Sequence, residues 1–124
     1  MTGSPQQAAD ALSQRGIEML AADQPLDAVQ AFREAIAVDP AHYEAHHGLV
    51  RALRDAGKLE PSVAAALALT ALTPEDPLAH TALSISLQTA GHVPEAEAAA
   101  ARARILEWKR QLREPEDADG ARES

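Results

Sequence analysis

The sequence predicts an all-α protein built from three stacked helix–turn–helix units, and three observations carry that prediction. Alanine supplies 29 of the 124 residues while only Phe32, Tyr43 and Trp108 are aromatic; alanine is the best helix former and a poor strand former. Sliding the sequence against itself gives an ungapped register of 34, which pairs Pro40 with Pro74, His46 with His80, Leu49 with Leu83, Leu53 with Leu87 and Gly57 with Gly91. Helix-ending and helix-starting signals recur at matching places in that register. The length suits one small domain.

The units run 9–42, 43–76 and 77–110, and each divides into two helices. In the first, Leu12, Gly16, Met19 and Leu20 recur at helical spacing, as do Ala28, Phe32, Ala35 and Ile36 after a break at Ala22-Asp-Gln-Pro25. In the second and third units the break contains Ala56-Gly57 and Ala90-Gly91, where glycine suits the left-handed residue that ends a helix. Pro25, Pro61 and Pro94 then fall at or near the first turn of each second helix, where a missing N–H costs little. The expected helices are 7–21, 25–38, 42–56, 60–72, 76–90 and 94–113. Residues 1–6 are expected to be a flexible N-terminus, 7–113 the folded domain, and 114–124 a disordered acidic tail.

Period, turns and residues together resemble the tetratricopeptide repeat (TPR), in three copies. The first unit carries Leu12 at the family's tryptophan position, then Gly16, Ala28, Phe32, Ala35 and Pro40. The second keeps Leu49, Leu53, Gly57 and Pro74 but has Val50 at the glycine, Ser62 at the first alanine and Ala66 at the phenylalanine. The third keeps Leu83, Leu87, Ala96 and Ala103, with Ser84, Ala100 and Trp108 at the glycine, phenylalanine and proline positions. The resemblance implies a right-handed α–α superhelix whose concave side is lined by the first helix of each pair. It also implies ligands that are peptides held in that groove.

The positions that would face the groove are Asp10, Ser13, Ile17 and Leu20; Glu44, His47, Arg51 and Arg54; and Leu78, Thr81, Ile85 and Gln88. Arg51 and Arg54 form a central basic ridge flanked by Ile17 and Ile85, which suits a partner peptide with an acidic anchor and apolar neighbours. The competing reading pairs the two arginines with Glu44 and Asp55 on a solvated face. Family members that grip the C-terminal carboxylate of the major heat-shock chaperones use lysine, arginine and asparagine. This chain has no asparagine, and the clamp positions hold Ser13, Ile17, Gly48, Leu78 and Ala82, so that role is not expected.

On the last helix, Ala96, Ala100 and Ala103 are expected to face helix 76–90. Ala98, Ala101, Ile105, Trp108 and Leu112 point roughly the opposite way, a stripe that a following repeat would cover. Left uncovered, it predicts self-association as a homodimer or a partner contact, against the alternative that it folds back on helix 60–72.

Charge excludes other classes. The net charge of −8 resolves into an acidic body, a basic segment 102–113 and an acidic tail, without the basic stripe and stacking aromatics of nucleic-acid binders. The Arg102–Arg113 cluster suits the last turns of a helix. No cysteine is present, the start lacks the basic and apolar regions of a signal peptide, and the longest apolar stretch, 63–72, is too short to span a bilayer. A cytoplasmic protein with no membrane and no nucleic-acid partner is expected.

No catalytic motif is found: Gly-x-Ser-x-Gly and phosphate-cradling glycine loops are missing, and Ala56-Gly-Lys58 lacks the remaining residues of a P-loop. His42, His46 and His80 are the one cluster with metal-ligand chemistry. Glu44 does not directly follow the first histidine, as a zincin base would, and packed imidazoles are the preferred reading. No enzyme activity and no cofactor or metal are expected. The function expected from the sequence is a protein-interaction module, an adaptor or scaffold binding a peptide in the groove, with a small client-specific chaperone as the alternative.

Overall fold

A computed structural model describes residues 3–113. They form six helices: α1 (Pro5–Ala21), α2 (Pro25–Val38), α3 (Tyr43–Asp55), α4 (Leu59–Leu72), α5 (Pro77–Thr89) and α6 (Val93–Arg113), with no strand among the described residues. Every helix starts and ends within two residues of its expected bounds. The expected tail, 114–124, lies outside the described residues. At the other end, α1 takes in Pro5 and Gln6, which the sequence had assigned to the flexible terminus. Ser4 Oγ accepts from the Gln7 N–H at 3.2 Å and Gln7 Oε1 accepts from the Ser4 N–H at 3.0 Å, a reciprocal cap that fixes the first turn.

The three intra-unit turns are copies of one another. Asp23, Gly57 and Gly91 adopt φ of 61°, 77° and 89°. In each turn the next N–H (Gln24, Lys58, His92) reaches back to the carbonyl of Met19, Leu53 or Leu87 at 2.8 Å, which closes the helix end with its carbonyls satisfied. A left-handed residue is thus required three times, and the first unit fills it with aspartate.

Adjacent units are tied at the start of the first helices. His42 caps α3, its Nδ1 accepting from the Ala45 N–H at 3.1 Å, so Nε2 carries the proton and donates to Asp10 of α1 at 2.6 Å. Asp76 does the same for α5: one carboxylate oxygen accepts from the Leu78 N–H at 3.0 Å, the other from the Tyr43 hydroxyl of α3 at 2.5 Å. His46 and His80, one repeat apart, donate to the Pro40 and Pro74 carbonyls at 2.7 and 2.9 Å. At the far edge His92 meets Glu60 at 2.8 Å.

The core is made mainly of alanine, which lets helix axes approach closely. One cluster joins Ala9, Ala28, Phe32, Ala35, Ala45 and Ala52, and a second joins Val50, Val63, Ala66, Leu69, Ala79 and Leu83. Phe32 is the large exception. Its fully buried ring from α2 lies between Gly16 of α1 and Gly48 of α3, and a Cβ on either glycine would stand 2.7 or 2.3 Å from ring carbons. No helix among the described residues is long and apolar enough to cross a membrane.

Candidate functional site: the groove of the first helices

Stacking α1, α3 and α5 side by side leaves an open groove of about 760 Å³ across their shared face. Eight of the positions expected there line it: Ile17 and Leu20 on α1, His47, Arg51 and Arg54 on α3, and Leu78, Thr81 and Ile85 on α5. Glu44 lines its rim; Asp10 does not line it and is instead the partner of His42. Ser13 and Gln88 are placed elsewhere. Ser13 is 1% exposed, and its hydroxyl has no hydrogen-bond partner. Gln88 is exposed, because no further first helix follows α5 among the described residues to build a wall beside it.

The groove also contains residues that spacing alone does not single out. Phe32 and Gly48 reach it from below, and Tyr43 from the end of α3. Tyr43 joins His47 to the cap of α5: the tyrosine hydroxyl donates to Asp76, so its oxygen accepts from His47 Nε2 at 2.8 Å, and the two rings meet edge-on at 4.6 Å. Burial, then the hydrogen bond and charge of Asp76, raise the Tyr43 pKa and keep the phenol protonated. Burial is also the larger influence on His47, lowering its pKa against the opposing pull of Asp76, so the imidazole is neutral at pH 7. The signal for this chain was the pairing of a residue at the head of one unit with one at the end of it, 33 positions on.

The two arginines differ. Arg51 is exposed and meets Asp55 at 3.5 Å, the solvated pair that the competing reading expected. Arg54 is half-buried, and its guanidinium donates to Ser86 of α5 at 3.3 Å with no carboxylate within 4 Å among the described residues. Burial lowers its pKa, Asp55 raises it and Arg51 lowers it. The groove therefore holds a cation whose charge is not neutralised by a contact, set among Ile17, Leu78 and Ile85, which are exposed.

The histidine cluster separates into individual roles. His42 spends both nitrogens on the cap and on Asp10, and His46 and His80 hold carbonyls. No group of three or more His, Asp or Glu among the described residues is placed to hold a metal ion.

On α6 the buried residues are Ala96, Ala99, Ala103 and Leu106. Ala100, expected against α5, is half-buried and lines a cleft with Thr81 and Ile85 of that helix. Ile105, Trp108 and Leu112 are exposed and Ala101 is half-buried, so the stripe does not fold back on α4. From Ala98 to Ile105 it is also not the face that a following repeat would cover. Its equivalents Gln30, Arg33 and Ala37 on α2 and Ala64, Leu67 and Ala71 on α4 are exposed although a repeat follows each.

The tetratricopeptide repeat profile matches residues 19–85, more than half of the sequence. The chain belongs to the tetratricopeptide repeat family. Its TPR superhelix is similar to MamA, with a TM-score of 0.78 at 20% identity over 84% of this chain; it spans 61% of that protein. The second TPR of Spaghetti, bound to an HSP90 peptide, aligns with a TM-score of 0.75 at 18% identity over 82% of this chain and 94% of that one. The type III secretion translocator chaperone SycD of Yersinia enterocolitica aligns with a TM-score of 0.76 at 15% identity, covering 94% of this chain and 86% of that one. No curated protein sequence matches the chain. TPR neighbours thus include peptide-binding and chaperone proteins, and TPR units are in general interaction modules.

Proposed function

We propose that this TPR domain is a non-catalytic adaptor or scaffold that holds a partner peptide in the groove of α1, α3 and α5, with an acidic residue of the peptide on Arg54. The observation that carries the reading is Arg54 itself, half-buried, tied only to a neutral serine and set among exposed apolar side chains. A carboxylate arriving there makes a charge-assisted hydrogen bond in a partly desolvated place, while isoleucine and leucine supply apolar contact on either side. The clamp residues that the heat-shock class needs are not at their positions, so the peptide differs from the tail seen with Spaghetti. The test is a selection of ten-residue peptides on the full chain, with affinities by fluorescence anisotropy. The reading requires binders enriched in Asp or Glu beside apolar residues, and at least a tenfold weakening by Arg54→Glu, about 1.4 kcal/mol. Unchanged affinity would move the site away from the groove.

The alternative, a small chaperone for one client protein, is favoured by the match to SycD along most of both chains. It predicts one unstable client kept soluble at equimolar chain, where an adaptor takes several folded partners. A homodimer through α6 rests on the exposed Ile105, Trp108 and Leu112. Light scattering that shows a monomer at every concentration before any Trp108→Glu change removes it.

A further inference from the structure

The three repeats show what each position meets when another unit follows, and the last repeat shows the same positions left open. Phe32 and Ala66 are fully buried, and their equivalent Ala100 on α6 is only half-buried. Ser13 is buried and His47 half-buried, whereas Thr81 on α5 is exposed; Leu20 and Arg54 are half-buried, whereas Gln88 is exposed. The element that covers these positions in the first two repeats is the first helix of the next unit, α3 on α1 and α2, then α5 on α3 and α4. After α6 the corresponding seat is a cleft of about 320 Å³, with Thr81 and Ile85 on one wall, Ala100 and Ala103 on the other, and Arg104 at its edge. Arg104 replaces Ile36 and Thr70 of the earlier repeats, is exposed, and has no carboxylate within 4 Å among the described residues. Glu107 beside it is occupied by Arg110 at 2.7 Å.

We infer that this cleft docks an amphipathic helix of a partner protein, with small residues on its docking face and a carboxylate opposite Arg104. The shape follows from the helices that fill the equivalent seats. They bury Ala45 and Ala52 of α3, and Ala79 and Ser86 of α5, against the preceding unit. The charge follows from the arginine that stands where an apolar or hydroxyl side chain stood before. A second copy is a poor occupant: its α1 has exposed Arg15 and Glu18 where α3 and α5 have Leu49, Leu83, Ala52 and Ser86, and would bring two charged side chains to positions that the earlier seats fill with uncharged ones. Residues 114–124 contain no apolar side chain larger than proline to fill the cleft.

The probe is a series of stapled, fluorescein-labelled helical peptides with an alanine–leucine stripe and one glutamate stepped along its edge, titrated against the full chain. One register is expected to bind saturably. Ala100→Trp, which fills the cleft, is expected to abolish that binding, and Arg104→Glu to weaken it about tenfold. Thr81 and Ile85 line both the groove and the cleft, whereas Arg54 lines only the groove, so Arg54→Glu is expected to leave this binding unchanged while Arg104→Glu weakens it. Arg104 is exposed, so its variant keeps the fold, and circular dichroism checks both. The inference is overturned if no peptide of the series binds below about 1 mM, if Ala100→Trp leaves binding intact, or if the unmodified chain self-associates and Ala100→Trp makes it monomeric, since a second copy then owns the seat.

Discussion

Gly48→Ala pits local helix preference against packing, and the structure determines the sign. Glycine inside a helix is about 1 kcal/mol worse than alanine, so propensity alone makes the substitution stabilising. At Gly48, however, the new Cβ would lie 2.3 and 2.4 Å from Phe32 ring carbons, about 1 Å inside ordinary contact. The ring cannot move away, because Gly16 stands on its other side at a similar distance, and Phe32 is fully buried. Overpacking of a closed core costs about 1–3 kcal/mol, and with no room to retreat the upper end applies. Set against the propensity gain, the net loss is about 2 kcal/mol, or about 6–10 °C in Tm for a chain of this size. Thermal and urea unfolding followed by circular dichroism reads it. Phe32→Leu supplies the second arm: with the ring gone, Gly48→Ala should be harmless or favourable, a coupling of about 1–3 kcal/mol. A Gly48→Ala protein as stable as the parent, or more so, would refute the view that Phe32 is clamped between two glycines.

Three further outcomes follow from single positions. Asp23 holds a left-handed φ of 61° where the other turns use glycine, so Asp23→Gly should raise stability by about 0.5–1 kcal/mol in urea titration, while Gly57→Ala should lower it by about as much or more. Ser13→Ala removes a buried hydroxyl with no partner and should leave stability unchanged or raise it by about 1 kcal/mol; a loss would mean the hydroxyl is bonded after all. His47 is held below its ordinary pKa of 6.5 by burial, so the unfolded chain binds its proton first as pH falls. Its contribution is therefore intact above about pH 6.5 and is lost as pH falls through the lower folded value. Urea midpoints measured from pH 7 to pH 5 should decline, and His47→Gln should flatten that decline.

Much of the architecture was legible in the sequence because its determinants are local and repeated. Glycine at the left-handed turn position of the second and third units, proline near each second helix and alanine at the contacts are set within a few residues, and the period of 34 repeats each signal. The groove was legible to the extent that it follows from that register, as with His47, Arg51 and Arg54. What escaped was pairwise and long-range: Tyr43 with Asp76, His42 with Asp10, Phe32 with Gly48. None of these pairs is visible in helical spacing, since each joins residues on different helices or their caps.

The misplaced residues share one cause. Ser13 and Gln88 were assigned by repeat position alone, yet exposure at a repeat position depends on which neighbour covers it. Ser13 and Thr81 have the same register but are buried and exposed respectively, because α3 covers one and no helix among the described residues covers the other. The correct comparison runs along each column of the repeat. A residue exposed in all three units, such as the column of Ala37, Ala71 and Ile105, lies on an outer face and needs no missing element to explain it. A residue whose exposure rises only in the last unit, such as Ala100, marks a seat. By that criterion the α5–α6 cleft is a seat left open by the repeat pattern, whereas Trp108 stands on a surface the pattern leaves outside everywhere. Contact through Trp108 would therefore require a partner suited to this chain, rather than one more unit of the stack.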